Sequence, residues 1–252
     1  MSILLKMAFL FLIGSIVGWG IEVIFRRFFS NANPERKWIN PGFLSGPYLP
    51  LYGFSLCVLY LLAQCEQFLP IADPGWRKAV LFLVMALCVT AVEYLAGLIF
   101  IRGMHVQLWD YSSQWGNFQG IICPKFTFFW LLLSACYYFL VHPRILGALN
   151  WLANNLTFSF VIGFFYGVFM IDFVSSARLL AKIKNFAEEN GIVVRLEELR
   201  EHIRKSREAR SEKARFLLSM YSHTPIAEHL HAYAEKAKKD LENLHAGLDL
   251  KH

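Results

Sequence analysis

The sequence predicts an all-α membrane protein with about five transmembrane helices and a charged, helical C-terminal tail. Of its 252 residues, 56% are hydrophobic and only 17% are charged, whereas an ordinary soluble domain carries about 25% charged residues. The charged residues are concentrated at one end, because 27 of the 44 lie in residues 173–252. We therefore divide the chain into a transmembrane body, residues 1–175, and a cytoplasmic tail, residues 176–252.

Five apolar segments of the body are long enough to cross a membrane, which takes about 20 mainly apolar residues. The predicted spans are residues 3–25, 51–68, 79–101, 119–141 and 151–172. Basic residues are concentrated after the first span and again in the tail; those after the first span are Arg26, Arg27, Arg36 and Lys37. Because cytoplasmic loops carry an excess of Lys and Arg, this pattern places the N-terminus outside the cell and the tail in the cytoplasm. The first and third loops then share the cytoplasmic side.

The tail is predicted to contain two helices. Leu196, Leu199 and Ile203 follow helical spacing in the first, and the second begins at Pro225 with Thr224 as its N-cap. Neither apolar stripe lasts the three to four heptads that are typical of a coiled coil. We expect a helical hairpin docked on the membrane body or on a partner.

The first loop ends in an uncharged stretch, Trp38–Gly53, with three prolines and three glycines. Proline removes a backbone donor, so no regular helix runs through the stretch. Irregular backbone is tolerated at membrane depth only where protein or water covers it. We predict a fixed segment that packs against the body and gates a pocket; a tightly turned connector between two helices is the alternative. The gate residues are Asn40, Pro41, Gly42, Phe43, Gly46, Pro47, Pro50 and Tyr52.

Four ionisable residues lie within the predicted spans or at their ends, where inserting a charge costs about 2.5–3.5 kcal/mol. They are Glu22, Glu93, Lys125 and Asp172. We predict a polar pocket near the cytoplasmic side that binds a cation, a proton or a charged head group, with Glu93 paired to Lys125. The alternative is that the other three side chains lie at the interface and reach water.

The third loop contains a second polar motif, Trp109-Asp110-Tyr111-Ser112, followed by Asn117. Tryptophan and tyrosine favour the membrane interface, so Trp109, Tyr111 and also Trp19 of the first span are predicted interfacial anchors. Asp110 and Asn117 either cap the loop locally or face the first loop and close the mouth of the pocket.

Two pairs of glycines have the spacing that allows close packing of membrane helices. Gly14 and Gly18 lie in the first span, and Gly163 and Gly167 lie in the fifth. We expect these two spans to pack closely.

Several kinds of site are excluded or disfavoured. The chain has no P-loop, HExxH or GxSxG motif, and its five cysteines form no CxxC pair. His223, His229 and His231 are clustered, but the last two point to different sides of a helix. We therefore expect no cofactor and no metal. The tail is mixed in charge, so membrane lipid is the expected partner and nucleic acid is not.

Three sequence elements, in this order, resemble a known bacterial family. They are Gly18-Trp19 with Glu22-Val23; Asn40-Pro41-Gly42-Phe43-Leu44 with Gly46-Pro47 and Pro50-x-Tyr52-Gly53; and Glu93-Tyr94 with Gly97, Trp109-Asp110-Tyr111-Ser112, Asn117 and Gly120. Together they resemble the family named putative ABC transporter type IV, or CmpB-like putative ABC transporter permeases, over roughly residues 8–175. The family usually has a basic residue where this chain has Pro41. The resemblance implies a multi-pass permease of the bacterial cell membrane that works with a separate ATPase. We also expect this transport subunit to form a homo-oligomer.

Three functions fit these observations. The first, which we favour, is a transport subunit with a pocket built from Glu22, Glu93 and the two cytoplasmic loops. The second is an integral-membrane enzyme that acts on a lipid-like substrate with Glu93 and Asp110 as acid and base. The third is a structural or regulatory membrane protein whose tail recruits partners.

Overall fold

The computed structural model describes residues 2–30, 33, 35–208, 232 and 235. It is 76% helical with almost no sheet, which confirms the predicted all-α class. In this part of the chain, four helices are long and apolar enough to cross a membrane: Ile3–Phe28, Pro74–Gly103, Pro124–Asn154 and Leu156–Asn190. The predicted helix at Pro225 and the histidine cluster lie outside the described residues.

Seven α-helices and two short strands are described, some of them extended by 3-10 or π turns. The helices are α1 Ile3–Phe28, α2 Pro50–Gln64, α3 Pro74–Leu98, α4 Pro124–Cys136, α5 His142–Asn154, α6 Ser159–Asn190 and α7 Leu196–Glu208. The 3-10 turns are Cys65–Phe68 and Leu156–Phe158, and the π turns are Ile99–Gly103 and Tyr137–Val141. The strands are β1 Val106–Gln107 and β2 Val194–Arg195.

The largest difference from the sequence-based prediction lies between the fourth and fifth spans. Residues 119–123 form a turn rather than helix, and the fourth helix begins at Pro124, whose missing N–H is not needed at a first helical position. The expected loop at 142–150 is helical as well, since α5 follows the π turn without a break. Pro143 lies in the first turn of α5 directly after the π turn, where the wider turn accommodates a residue that would otherwise break a helix.

The chain folds into two compact units, of which the first consists of Met1–Leu98 and Asp110–Val174. Its apolar core joins side chains from α1, α2, α3, the Tyr137–Val141 turn, α5 and α6, with Leu10, Met85 and Leu152 almost fully buried. This unit contains every residue of the candidate site described below.

Glycines allow α1 and α2 to approach closely within the first unit. A methyl group added at Gly18 would lie 2.2 Å from the Cβ and Cγ atoms of Tyr52, and one added at Gly14 would lie 2.9 Å from the Tyr52 carbonyl oxygen. The predicted close packing at Gly14 and Gly18 is therefore present, but its partner is α2. Gly163 and Gly167 have no such neighbour within 4 Å, so the expected packing of spans 1 and 5 through these glycines is wrong.

The second unit is formed by Ile99–Trp109 and Ser175–His252. Strands β1 and β2 pair in parallel, with Val106 opposite Val194, and both valines are fully buried. Helix α7 begins directly after β2. It carries the predicted stripe of Leu196, Leu199 and Ile203, and all three are buried.

Candidate functional site

The most deeply buried acid described in the first unit is Glu93, on α3. Only 3% of this residue is exposed. Its Oε1 atom accepts a hydrogen bond from the Tyr111 hydroxyl at 3.1 Å, and its Oε2 atom accepts one from Trp130 Nε1 at 2.9 Å. Both donors are neutral groups, so the described residues give this carboxyl group two hydrogen bonds and no countercharge.

The expected pairing of Glu93 with Lys125 is not formed. Lys125 is exposed at the start of α4, and its Nζ atom lies 5.8 Å from the centre of the Phe126 ring. Hydration and the ring stabilise the ammonium group there without the cost of burying it. Lys125 therefore does not belong to the site.

The second acid, Glu22 on α1, has the countercharge that Glu93 lacks. Its Oε1 atom accepts a hydrogen bond from Arg26 Nε at 2.9 Å, one helical turn further along α1. Its Oε2 atom accepts a hydrogen bond from the Tyr52 hydroxyl at 3.0 Å. A charged Glu22 is thus compensated within its own helix.

Aromatic side chains connect the two acids. The ring of Tyr52, which binds Glu22, lies 5.6 Å from the ring of Trp130, which binds Glu93. We refer to Glu22, Tyr52, Glu93, Tyr111 and Trp130 as the Glu93 site. The predicted neighbours Glu22 and Glu93 are brought together in it, although they are contributed by different helices.

Tyr111 enters the Glu93 site from the loop before α4. Its ring stacks on the Phe126 ring at a centroid distance of 4.3 Å. Burial raises the pKa of its phenol well above the usual value, and the nearby Glu93 and Glu22 carboxylates raise it further. Tyr111 is consequently a neutral donor to Glu93 at any physiological pH.

The Trp38–Gly53 stretch is non-helical up to Leu49, as predicted, and it is held in place by Asn40. The Asn40 side chain is 4% exposed. Its Oδ1 atom accepts a hydrogen bond from Trp19 Nε1 at 2.6 Å, and its Nδ2 atom donates to the carbonyl oxygens of Leu44 and Ser45 at 3.2 and 3.0 Å. Trp19 therefore fixes this loop to α1.

A second attachment fixes the same loop to α6. The Asp172 carboxylate accepts hydrogen bonds from the backbone N–H groups of Ser45 at 3.1 Å and Gly46 at 2.9 Å, and from the Tyr48 hydroxyl at 2.6 Å. Burial and the Asp172 carboxylate raise the pKa of the Tyr48 phenol above its usual value. We call these four residues the Asp172 clasp.

The other predicted gate residues shape the loop around these attachments. Gly42 has a φ of +76°, a conformation that glycine adopts without strain. Phe43 packs against Phe173 with a ring distance of 6.3 Å. Pro41 is buried and Pro47 exposed. Pro50 is the first residue of α2, where its missing N–H is not needed.

Asp110 and Asn117 make the local contacts of the first alternative. Asp110 Oδ1 accepts a hydrogen bond from the Ser112 backbone N–H at 2.8 Å. Asn117 Nδ2 donates to the carbonyl oxygens of Ser112 and Gln114, and its Oδ1 atom accepts from the Gly120 N–H. Both residues shape their own loop through these bonds. Trp109 belongs to the second unit and is half-buried.

The sequence profile of the family described as Putative ABC-transporter type IV matches residues 9–177. The chain belongs to this family. No curated protein and no solved structure matches the chain. Membership of the Putative ABC-transporter type IV family, together with the four apolar helices, supports a transport-related membrane protein. The matched residues include both the Glu93 site and the Asp172 clasp.

This member of the family has an open cavity of about 460 Å³. Its lining residues come from α3, from the loop before α4 and from α4 itself: Leu83, Ala86, Gly116, Phe118, Ile122, Cys123, Pro124, Thr127, Phe128 and Leu131. We call this cavity the α3–α4 groove. None of these lining side chains is charged.

The described residues offer no group of three or more His, Cys, Asp or Glu side chains that is placed to hold a metal ion. The Glu93 site is surrounded by hydrogen-bond donors, whereas a hard cation requires several oxygen ligands. Its chemistry is that of a carboxyl group placed among neutral donors.

Sequence reasoning missed three contributors to these arrangements: Trp130, Tyr48 and Ser45. A buried acid in an apolar helix needs hydrogen-bond donors. Trp130 supplies one through its indole N–H group, but tryptophan counts as an apolar residue in the pattern that predicts α4. Asp172 at the end of a predicted span likewise needed partners. Tyr48, in the loop before α2, has the hydroxyl group that donates a hydrogen bond to Asp172.

Proposed function

We propose that this protein is a membrane transport subunit in which the Glu93 carboxyl group binds a positive charge, either a proton or a cationic group of the substrate. The observation that carries the proposal is that Glu93 is buried with two neutral donors and has no cationic partner within the part of the chain that the structure describes. A buried carboxylate is strongly destabilising unless it is paired. An acid kept in this position is therefore a functional candidate.

A separate ATPase subunit is the second part of the proposal. The sequence has no P-loop motif, so nucleotide hydrolysis of the usual P-loop kind would come from another chain. The family description names an ABC transporter, a class that depends on such hydrolysis. We place the protein in a bacterial cell membrane. The basic residues Arg26, Arg27, Arg36 and Lys37 of the first loop, with those of the tail, support a cytoplasmic position for the loop and the tail.

The non-helical residues 38–49, which we call the proline-rich loop, act as the gate in this proposal. Hydrogen bonds hold it to α1 through Asn40 and to α6 through Asp172. Tyr52 lies in the first turn of α2, directly after the loop, and donates a hydrogen bond to Glu22. Movement of the loop would therefore displace Tyr52 within the Glu93 site. Opening the gate requires the Asp172 clasp to release.

The proposal is tested by replacing Glu93 with glutamine in the full-length protein. Purification in mild detergent with mass spectrometry identifies a co-purifying ATPase, and infrared difference spectroscopy across a pH titration reports the carboxyl group itself. We expect a carboxyl band in the wild type that is lost in Glu93→Gln, together with loss of the coupling between transport and ATP hydrolysis.

Glu66→Gln is the matched control. Glu66 is also an acid of the first unit that accepts a tyrosine hydroxyl, from Tyr138, but Arg77 lies 3.8 Å away as a countercharge. We expect this variant to keep the band that Glu93→Gln loses. An unchanged carboxyl spectrum and unchanged coupling in Glu93→Gln would contradict the proposal.

A further inference from the structure

The α3–α4 groove and Glu93 share one stripe of α3. Leu83 and Ala86 line the groove, and Thr90 and Glu93 follow them at spacings of four and three residues. Residues at these spacings lie on the same face of a helix. The groove residues of α3 therefore lie on the same helix face as Glu93, the carboxyl group without a cationic partner among the described residues.

One polar contact joins the lining of the groove to the face of α3 that carries Glu93. The Thr90 hydroxyl donates to Thr127 Oγ1 at 3.4 Å, which is long for a bond between hydroxyl groups. Thr127 lines the groove and precedes Trp130, the partner of Glu93, by three residues. The two threonines therefore connect the groove, through Thr127, to the helix face of Thr90 and Glu93.

The walls of the groove and the acid beside it suit different parts of one molecule. The groove is open at the protein surface and lined by uncharged, mainly apolar side chains, which favour binding of a hydrocarbon chain. Glu93 has no cationic partner among the described residues, which favours a positive group. A ligand that occupied both would have an apolar chain and a cationic head.

We propose that the α3–α4 groove binds the hydrocarbon chain of a single-chain amphiphile whose positively charged head group reaches Glu93 past Thr90 and Thr127. This inference rests on the proposed function, since it names the class of substrate for the same carboxyl group. An ordinary phospholipid fits less well, because its phosphate would lie against the Glu93 carboxylate and repel it.

The test measures binding of three amphiphiles of equal chain length to the full chain in a neutral detergent. The probes are dodecyltrimethylammonium, dodecanol and dodecanoate, and native mass spectrometry with competition gives relative affinities. We expect the cationic probe to bind at least about tenfold more tightly than the other two. This preference should disappear in Glu93→Gln.

A pair of substitutions on α3 tests the groove itself. Leu83→Trp places a larger side chain into the groove from a position that is 52% exposed, whereas Leu87→Trp changes a residue of the same helix that is 54% exposed and does not line the groove. We expect Leu83→Trp to weaken binding of the cationic probe about tenfold or more, and Leu87→Trp to leave it unchanged.

Two outcomes would overturn the inference. Equal binding of all three probes would show that the groove is a general site for membrane hydrocarbon, and unchanged binding in Leu83→Trp would show that the probe binds elsewhere. Either result leaves the proposed function intact if Glu93→Gln still loses its carboxyl band and its coupling. If Glu93→Gln keeps both, the proposed function itself is wrong.

Discussion

The Asp172 clasp and the Glu93 site each place a carboxyl group among hydrogen-bond donors, but the donors and the burial of the two groups differ. Asp172 is half-buried, and its donors include two backbone N–H groups and one hydroxyl of a single loop. Glu93 is almost fully buried and accepts two side-chain donors from a different loop and a different helix.

In the proposed function, Asp172 is a structural acid and Glu93 is the acid that binds a positive charge. Backbone N–H groups of a fixed loop are ready-made partners for a negative charge, so the clasp stabilises an ionised Asp172. The Glu93 site offers fewer bonds in a deeper position, which leaves the negative charge poorly compensated. The Asp172 carboxylate attaches the loop to α6, whereas we propose that the Glu93 carboxyl group binds a positively charged ligand.

The largest expected effect comes from removing the acceptor of the clasp. Asp172→Ala leaves three donors without their partner, and we expect the free energy of unfolding to fall by about 3 kcal/mol. Asp172→Asn keeps one acceptor oxygen and should lose roughly half as much. Thermal unfolding in detergent measures both.

Glu93→Gln is the counterpart in the same assay. A glutamine can accept from Trp130 and donate to the Tyr111 oxygen, while the buried charge disappears. We expect a change of less than about 1 kcal/mol. Equal destabilisation by Glu93→Gln and Asp172→Ala would remove the distinction between the two acids.

An effect smaller than that of Asp172→Ala is expected when the Glu93 site is disturbed without a change to either acid. Gly18→Ala places a methyl group 2.2 Å from Tyr52, so Tyr52 must move away from Glu22 and Trp130. We expect the free energy of unfolding to fall by about 2 kcal/mol from this overpacking, together with the same loss of coupling that we expect for Glu93→Gln.

Gly163→Ala is the control, since nothing lies within 4 Å of the added methyl group. Alanine is the better helix former by about 0.8–1 kcal/mol in a helix interior, so this variant should be neutral or slightly more stable. Similar losses in the two alanine variants would show that helix packing at Gly18 has no special role. Thermal unfolding of both proteins in the same detergent decides this.

The smallest effect is expected at alkaline pH, through the two tyrosines that serve these acids. The pKa values of Tyr48 and Tyr111 are raised in the folded protein, whereas an unfolded tyrosine ionises near pH 10. Below that pH both phenols are neutral in either state. As the pH rises above it, the unfolded chain loses protons that the folded chain retains, and stability falls.

Tyr48→Phe and Tyr111→Phe should each reduce this alkaline loss, in addition to their cost at neutral pH. The measurement is the slope of the unfolding midpoint against pH above about pH 10. A slope that neither substitution changes would mean that these phenols do not retain their protons in the folded protein.

The sequence by itself determined the class of the protein and the path of its backbone near the site. Apolar length predicted the membrane helices, because crossing a bilayer demands it. Prolines predicted a non-helical stretch before Pro50, because a missing N–H and a fixed φ act locally. The burial of an acid at Glu93 followed from the apolar residues on either side of it.

Only the tertiary structure decided which groups meet. Tyr111 and Trp130, rather than Lys125, bind Glu93, and their positions depend on how the loop before α4 folds back and on how α3 packs against α4. Pro143 is likewise compatible with one continuous helix only because a π turn precedes it. Local propensities set each element, but contacts between residues 18 to 127 positions apart depend on packing geometry that no local pattern encodes.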